Sequence, residues 1–403
     1  MELFWLEHKK LWRKKIVKIC VLLCFVYYVI FGSILSFQWF SFGSSDDYTS
    51  AFGNNFDGYT VIKDSQEYAL SFGGELTDET LQQIVSDYQQ MEADGMEEEL
   101  EKTDWQIVNS WLGTLYPELR DTSNYKTMIS YVDPDKLTGF YERRQQVLDE
   151  FLEVSGQVGA EKEYLHQIER KVEKPFRYEW VEGWSTLLGS MVADLGVVMA
   201  LFLGIVLSSL FAGEWHDNTS TLVLTTRNGW GKIALAKILT GLAFTVELFA
   251  LLAVSIVISQ LFFMGTAGWD MPIQNIKLIA VAPMNMLQAE IYEYAFVLLG
   301  AIGFAGIVMF ISAAVKNNVL TLLLSLAVVY GPMMIAEYLP YGMQKALDLI
   351  PLVGSSTDIF RTNTFRIWGK LIWSPYLLIT IHLLSLFFAI LLFMPSSFLT
   401  SSL

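Results

Sequence analysis

The sequence predicts an α-helical polytopic membrane protein with six transmembrane helices and a mixed, mainly helical extracellular domain between the first two. Three observations support this prediction: apolar stretches long enough for a bilayer, an acidic block that interrupts them, and basic residues near the N-terminus. The chain has 403 residues, of which 53% are hydrophobic, and its mean hydropathy is positive. This apolar excess is typical of membrane proteins rather than of soluble domains.

Six apolar stretches provide the roughly 20 residues that a helix needs to cross a bilayer. They lie near residues 16–37, 187–212, 234–264, 291–315, 319–336 and 375–394. The first follows a basic run, as a signal peptide would. Because its apolar run is longer than a signal core and no small-residue cleavage pattern follows, we interpret it as a membrane anchor.

The acidic residues are concentrated between residues 41 and 185, which contain 30 Asp and Glu against 12 Lys and Arg. This break in composition predicts a separate soluble domain at 41–184, with a cap at Thr77 and a helical pattern over 141–173. We assign Trp105 and Trp111 to its core. The remainder divides into 1–40, with the cytoplasmic N-terminus and the first helix, and 185–403, with the other five helices. Such an acidic chain is not expected to bind nucleic acid.

The orientation in the membrane follows from the basic residues beside the spans. Six Lys and Arg residues between positions 9 and 18 predict a cytoplasmic N-terminus. Six spans then return the C-terminus to the cytoplasm and leave 41–184 outside the cell. The connection 337–374 disagrees, because it is predicted to be external although it is basic. Its cations are Lys345, Arg361, Arg366 and Lys370.

Tryptophan residues near the predicted span ends are expected to lie at the membrane–water interface, where indole is favoured. Trp180 and Trp184, just before the second span, are two of them.

Three ionisable residues fall within the predicted spans, namely Asp194, Glu247 and His382. Ionisable groups are costly in the bilayer, so each is a candidate functional residue. At about 1.5 Å per residue, all three can lie at one depth, where they would line a translocation path or link helices as a carboxylate–imidazole pair. The alternative is that each makes a hydrogen bond that packs the helices together.

A polar segment, residues 213–232, separates the second and third predicted spans. Its "GWGK" is not a phosphate-binding loop, which needs a Gly five residues before the Gly-Lys and a Ser or Thr after it. Thr226 and Ile233 stand at these positions. The segment has an acidic residue at its start, an apolar centre and basic residues towards its end: Glu214, Leu222, Val223, Leu224, Arg227 and Lys232.

This arrangement resembles the type-2 ATP-binding-cassette (ABC) exporter permeases of bacteria, some of which have a large extracellular insert after the first span. The matching stretches are Glu214, the run "TSTLVLTTR" that ends at Arg227, "GKIALAK" and the later "FISAAVKNNVLTLLLSLAVV". The resemblance covers about residues 187–394. It implies that 213–232 is a coupling helix docked on a separate ATPase subunit, and that the six residues named above make the contacts.

The resemblance also implies a division of roles between this chain and its partners. This chain would be a transport subunit without enzymatic activity or a cofactor of its own, and ATP and magnesium would bind the ABC ATPase subunits. A second permease copy or a sister permease would complete the assembly in the bacterial cell membrane. The substrate class stays open among amphipathic or cationic peptides, drugs and lipids, and membrane lipid is an expected partner.

Two other functions remain as alternatives. A proton-coupled secondary transporter would use Asp194, Glu247 and His382 as a relay, and would be expected to show inverted repeats and broken helices, for which the sequence gives no sign. A membrane sensor or immunity protein would use the outer domain to bind a ligand.

Overall fold

The computed structural model describes residues 2–36, 66, 73–96, 106–121, 126–216, 231–353 and 358–393. The chain begins with helix α1 (Glu2–Arg13), which is amphipathic, and helix α2 (Lys15–Ser36), which is apolar and coincides with the predicted first span. Leu11 of α1 is buried, whereas Trp5 on the opposite face is exposed. The first helix therefore lies against the rest of the protein along one face only.

The acidic block contains short strands and four described helices. In chain order these are β1 (Gly74–Glu75), α3 (Asp78–Ala93), α4 (Gln106–Leu115), α5 (Phe140–Val154), α6 (Ala160–Glu169) and β2 (Arg177–Tyr178). The two strands pair in antiparallel fashion. The core of this unit includes Trp111, which is 2% exposed, as the sequence predicted. Trp105 lies outside the described residues.

Two sequence predictions about this block have different outcomes. The helix cap at Thr77 is confirmed, because the backbone N–H of Thr80 donates to the Thr77 hydroxyl at 3.2 Å. The prediction of one helical stretch over 141–173 is wrong in its middle, where α5 ends and α6 has not yet begun. Gly156 and Gly159 have φ of 73° and 59° there, a left-handed backbone that glycine adopts at little cost and that interrupts a helix.

The remaining helices form a bundle. They are α7 (Glu182–Thr186), a π-helical turn (Leu187–Met191), α8 (Val192–Leu207), α9 (Ser209–His216), α10 (Lys232–Met264), α11 (Met286–Val315), α12 (Asn318–Ile335), α13 (Tyr341–Leu347) and α14 (Ser374–Phe393). A hairpin of β3 (Thr364–Ile367) and β4 (Lys370–Trp373) precedes α14. Helix α11 is central and packs against α8, α10, α12 and α14.

Four helical stretches within the described residues are long and apolar enough to cross a membrane. They are Glu182–Trp215, which runs from α7 into α9, together with α10, α11 and α12. These four coincide with the second to fifth predicted spans. Helices α2 and α14 lie at the first and sixth predicted positions. The architecture is thus that of a mainly helical, multi-pass membrane protein.

The acidic block rests on two connections between these helices. Arg144 of α5 donates to the carbonyls of Leu278 and Ala280 in the connection 265–285, at 2.7 and 3.2 Å, and forms a buried ion pair with Glu169. Arg366 of the β3–β4 hairpin pairs with Glu161. The block, the connection 265–285 and the connection 336–373 therefore lie together at one end of the bundle, which we call the domain end.

Trp180 and Trp184 lie at this contact and are buried in the protein. They are 3% and 5% exposed, and their indole N–H groups donate to the carbonyls of Met264 and Ala267 at 3.1 and 2.9 Å. Both indoles are therefore enclosed by the protein, and their predicted depth at the membrane–water interface stays a prediction. Their hydrogen bonds connect the start of the second span to the end of α10.

The opposite end of the bundle, which we call the segment end, contains α1, α9, the start of α10 and the turn between α11 and α12. Lys316 ends α11 in the left-handed conformation, with φ of 60°, and the Asn317 side chain accepts from the Leu320 N–H to cap α12. The Lys316 ammonium lies 4.0 Å from the ring centre of Trp215 in α9. Helix α9, which leads into the polar segment 213–232, and the start of α10, which follows it, therefore both lie at the segment end.

We expect Gly268→Ala to destabilise the contact between the second span and the connection 265–285. Gly268 has φ of 78°, and an added Cβ would lie 2.3 Å from the Trp180 carbonyl oxygen. The backbone strain costs about 1–2 kcal/mol and the overpacking about 1–3 kcal/mol more. Thermal unfolding of the purified chain, followed by tryptophan fluorescence, would measure the loss.

Gly369→Ala is the matched control for this substitution. Gly369 has nearly the same φ, 79°, but no atom lies within 4 Å of the added Cβ. Gly369→Ala should therefore reduce the stability only by the cost of backbone strain. Equal destabilisation by the two variants would show that the close approach to Trp180 does not matter.

Candidate functional site: the base of the polar segment

Lys237 of α10 is a buried cation that joins three helices at the segment end. Its side chain is 3% exposed, and its Nζ lies 3.0 Å from Glu7 Oε2 in α1 and 2.9 Å from Glu214 Oε1 in α9. The ammonium also donates to the Leu210 carbonyl at 3.0 Å. A buried charge is tolerated only when it is paired and hydrogen-bonded, and both conditions are met here. The residues on either side of the polar segment are thus held together by one ion pair.

Ser312 of α11 makes a second link at the break between α8 and α9. Its hydroxyl donates to the Ser208 carbonyl at 2.7 Å and accepts from the backbone N–H groups of Phe211 and Ala212 at 3.2 and 3.0 Å. A helix break leaves backbone groups without their usual partners, and this hydroxyl supplies them. It thereby fixes the angle at which α9 leads into the polar segment.

Basic residues of α1 and of its junction with α2 lie beside this ion pair. Lys10 lies 3.8 Å from Glu214, and Lys14 donates to the Ser209 hydroxyl at 2.9 Å. These residues, together with Glu7 and Lys237, line a small cleft of about 50 Å³. The base is therefore a network of alternating charges that ties α1 to the two helices adjoining the segment.

The predicted coupling residues fall partly within this geometry. Glu214 belongs to the charged network, and Lys232 is the exposed first residue of α10. The other four predicted contact residues lie outside the described residues: Leu222, Val223, Leu224 and Arg227. The coupling role of the segment therefore stays a prediction.

The three ionisable residues predicted within the spans do not contact one another. Glu247 lies on the surface of α10, where it accepts from the indole N–H of Trp12 at 3.0 Å and lies 3.2 Å from His8 Nε2. Asp194 of α8 accepts from the Tyr27 hydroxyl of α2 at 3.2 Å. Each carboxylate therefore has its contacts with an N-terminal helix.

His382 of α14 has a different environment. It is fully buried, its Nδ1 donates to the Leu378 carbonyl at 2.7 Å, and its ring packs edge-on against Phe296 of α11 at a centroid distance of 4.8 Å. A carbonyl oxygen only accepts, so this contact places the proton on Nδ1. The group lies within the bundle, between its central helix and its last one.

Sequence reasoning missed two acidic residues near the start of α11. Glu290 and Glu293 are 5% and 0% exposed, and Glu293 Oε1 accepts from the Ile359 N–H at 3.1 Å. The predicted fourth span begins at 291 and cuts through this pair. A capping box between Asn285 and Gln288 starts the helix at Met286, and that motif is the signal that could have found them.

The comparison with protein families identifies this architecture. Residues 1–391 match the family model described as ABC-2 family transporter protein. Comparisons with curated proteins and with solved structures find no match. The match extends over both the apolar helices and the acidic block. The chain therefore belongs to the ABC-2 family of transporter proteins, whose members are multi-pass membrane subunits that act with an ABC ATPase.

Proposed function

We propose that this chain is the permease subunit of an ATP-driven exporter, and that residues 213–232 couple it to a separate ATPase. The observation that carries this proposal is the ion pair between Glu214 and Lys237, which closes the base of the segment. A segment with fixed ends can transmit a push from a docked ATPase directly into α9 and α10. A segment with loose ends would absorb the same displacement.

The proposed orientation places the segment end in the cytoplasm and residues 41–184 outside the cell, with six spans between the termini. Exposed cations of α1 favour a cytoplasmic position. The basic connection 337–374 had argued against this arrangement. Two of its cations are paired within the protein, because Arg361 forms an ion pair with Asp348 and Arg366 with Glu161. They therefore contribute less to the charge bias than their number suggests.

The proposed assembly contains two permease chains, either identical or sister subunits, and two ATPase subunits that bind ATP and magnesium. The translocation path would be formed by the spans. In it we assign Asp194 and Glu247 the role of joining helices, because their contacts are with α1 and α2. His382 packs against Phe296 of α11, and Glu293 is a buried residue of that helix, so both are better placed to respond when α11 moves.

The experiment that tests this function is the double substitution Leu222→Asp and Leu224→Asp. Burying each leucine on a partner stabilises the complex by roughly 1.5–3 kcal/mol, so losing both should weaken ATPase binding at least about 100-fold. We expect a permease that inserts and unfolds like the wild type but does not retain the ATPase in detergent. Hydrolysis should fall to the level of the isolated ATPase. Arg227→Ala should act in the same direction by less, since a charge at the rim of an interface contributes little.

Asn218→Asp together with Asn228→Asp is the control. It adds the same two charges to the same segment and removes no apolar side chain. It should retain most of the ATPase. If the leucine variant binds ATPase at wild-type stoichiometry and remains coupled, the segment is a linker and this function is wrong.

A further inference from the structure

A polar cleft lies at the domain end, on the boundary between the acidic block and the helices. Its volume is about 530 Å³, within the range of clefts that bind small ligands. The acidic block provides one wall through Glu75, residues 171–175 and Arg177, and the other wall is formed by the connection 265–285 and Gln288 of α11. A ligand in this cleft would therefore touch both the domain and the bundle. The coupling proposed above makes no use of it.

Some of the charged side chains that line the cleft already have partners. Lys174 Nζ lies 2.8 Å from Glu169 Oε1, and Arg177 Nη1 lies 3.6 Å from Asp270 Oδ2 on the opposite wall. The other charged lining residues are exposed, and their side chains make no hydrogen bond or ion pair with another described residue: Glu75, Lys171 and Glu173. The cleft therefore offers two carboxylates and one ammonium group to a ligand.

The wall of the cleft also contains a buried hydrogen-bond acceptor. Gln274 lines the cleft and is fully buried, and its Nε2 donates to the carbonyls of Ala280 and Ala282, at 3.0 Å in each case. These two bonds fix the orientation of the amide group, whose Oε1 accepts no hydrogen bond from any described residue. Buried polar groups in native proteins are nearly always hydrogen-bonded, so this oxygen indicates a place for a donor from outside the chain.

The shape of the cleft is set in part by proline. Pro175, Pro272 and Pro283 line it, and because proline fixes the backbone φ, little conformational freedom is lost there when a ligand binds. The described residues that line the cleft include no aromatic side chain, so a nucleobase has no ring to stack on. These walls favour a ligand that binds through hydrogen bonds and charge.

We propose that this cleft binds an arginine-containing peptide segment. A guanidinium group has five N–H donors in a planar fork, and it suits the carboxylates of Glu75 and Glu173. A backbone N–H of the peptide donates to Gln274 Oε1, and a backbone carbonyl accepts from the Lys171 ammonium. Each of these lining groups thereby gains a hydrogen-bond partner. The site requires only that the cleft is open to solvent and does not depend on coupling to an ATPase.

The test is binding of the peptide N-acetyl-Ala-Arg-Ala-amide to the full chain in neutral detergent, measured by saturation-transfer NMR. The same peptide with citrulline in place of arginine has no charge and should bind at least about tenfold more weakly. Glu173→Gln should weaken binding of the arginine peptide about threefold, and adding Glu75→Gln should bring the loss to about tenfold. Glu150→Gln is the control, because Glu150 is an exposed carboxylate of the same domain that does not line the cleft. Thermal unfolding is recorded for each variant.

Two further measurements distinguish a peptide from other occupants. The bound peptide should slow hydrogen exchange in residues 274–282, because it touches both walls of the cleft. Agmatine, which carries a guanidinium group without a peptide backbone, should displace the peptide only at much higher concentration. Displacement at equal concentration would overturn the inference in favour of a small free cation. Equal weakening by Glu150→Gln and Glu173→Gln would overturn it in favour of diffuse attraction to the acidic domain. Absence of saturable binding at millimolar peptide would show that only water occupies the cleft.

Discussion

Lys237→Met is expected to release the polar segment from α1 and to uncouple ATP hydrolysis from transport. Methionine keeps the length of the side chain but leaves Glu7 and Glu214 facing each other without the cation between them. Removing one partner of a buried ion pair costs about 3–5 kcal/mol. Because the two carboxylates are 17% and 15% exposed, water reduces this penalty and we expect the lower part of that range. Thermal unfolding of the purified permease would report the loss.

The coupling part of this expectation is measured separately. With the ATPase added, hydrolysis should remain but should no longer depend on substrate, because the segment can move without moving α9 and α10. Lys9→Met is the matched control, since Lys9 is an exposed lysine on α1, a helix that the Lys237 ion pair joins to the segment. Adding Glu214→Gln to Lys237→Met should recover part of the stability. Full coupling in Lys237→Met would show that the ion pair does not stiffen the segment.

The apolar helices and their ends could be predicted from the sequence because length and apolarity are local properties. The third predicted span, 234–264, differs from α10 by only two residues at its start. The predicted fourth span begins five residues after the start of α11, because Glu290 and Glu293 lower the local apolarity although they are buried. A helix cap is also local, and reading Asn285 with Gln288 would have corrected that boundary.

The candidate site was predictable only in part, because its contacts join distant residues. The sequence selects Glu214 from its position at the end of a span, but its partner Lys237 is brought to it by the packing of α10 against α9. The second carboxylate on this cation, Glu7, is brought there by the packing of α1. Likewise, the equal depth predicted for Asp194, Glu247 and His382 depends on the rise along each helix, while their contacts depend on which helices are neighbours. For that reason Glu247 contacts α1, which is not one of the predicted spans.

The soluble domain provides the clearest example of such a long-range dependence. Its compositional boundary is evident in the sequence, and yet Leu278 of the connection 265–285 packs into the same apolar cluster as Trp111 and Phe140. The domain is therefore completed by a part of the chain about one hundred residues beyond it. A binding partner of the domain would act on α10 and α11 through that connection.

Arg144→Met is expected to undock the domain from the connection 265–285. The Arg144 side chain is fully buried, and its loss leaves Glu169 with Lys174 as its remaining described cation. It also removes the Arg144 donor from the Leu278 carbonyl and one of two donors from the Ala280 carbonyl, which keeps its hydrogen bond from Gln274. The cost of leaving a buried charge with incomplete pairing is about 3–5 kcal/mol. Hydrogen exchange in residues 274–282 should accelerate accordingly. Arg170→Met, at an exposed ion pair next to α6, should leave that exchange unchanged.

The ion pairs of Glu169 with Arg144 and Lys174 also predict that the contact between the domain and the connection 265–285 is lost in acid. Burial alone would raise the pKa of the Glu169 carboxyl, but hydrogen bonds and charges from Lys174 and Arg144 outweigh it and bring the pKa below its ordinary value of 4.5. A carboxyl whose pKa is lowered by folding stabilises the folded state above its unfolded pKa, and this contribution disappears as the pH falls through the folded pKa. Wild-type exchange in 274–282 should therefore rise below about pH 4.5, the ordinary Glu pKa. In Glu169→Gln this acid-dependent rise should be absent. A rise of equal size in the Gln variant would show that another group controls docking.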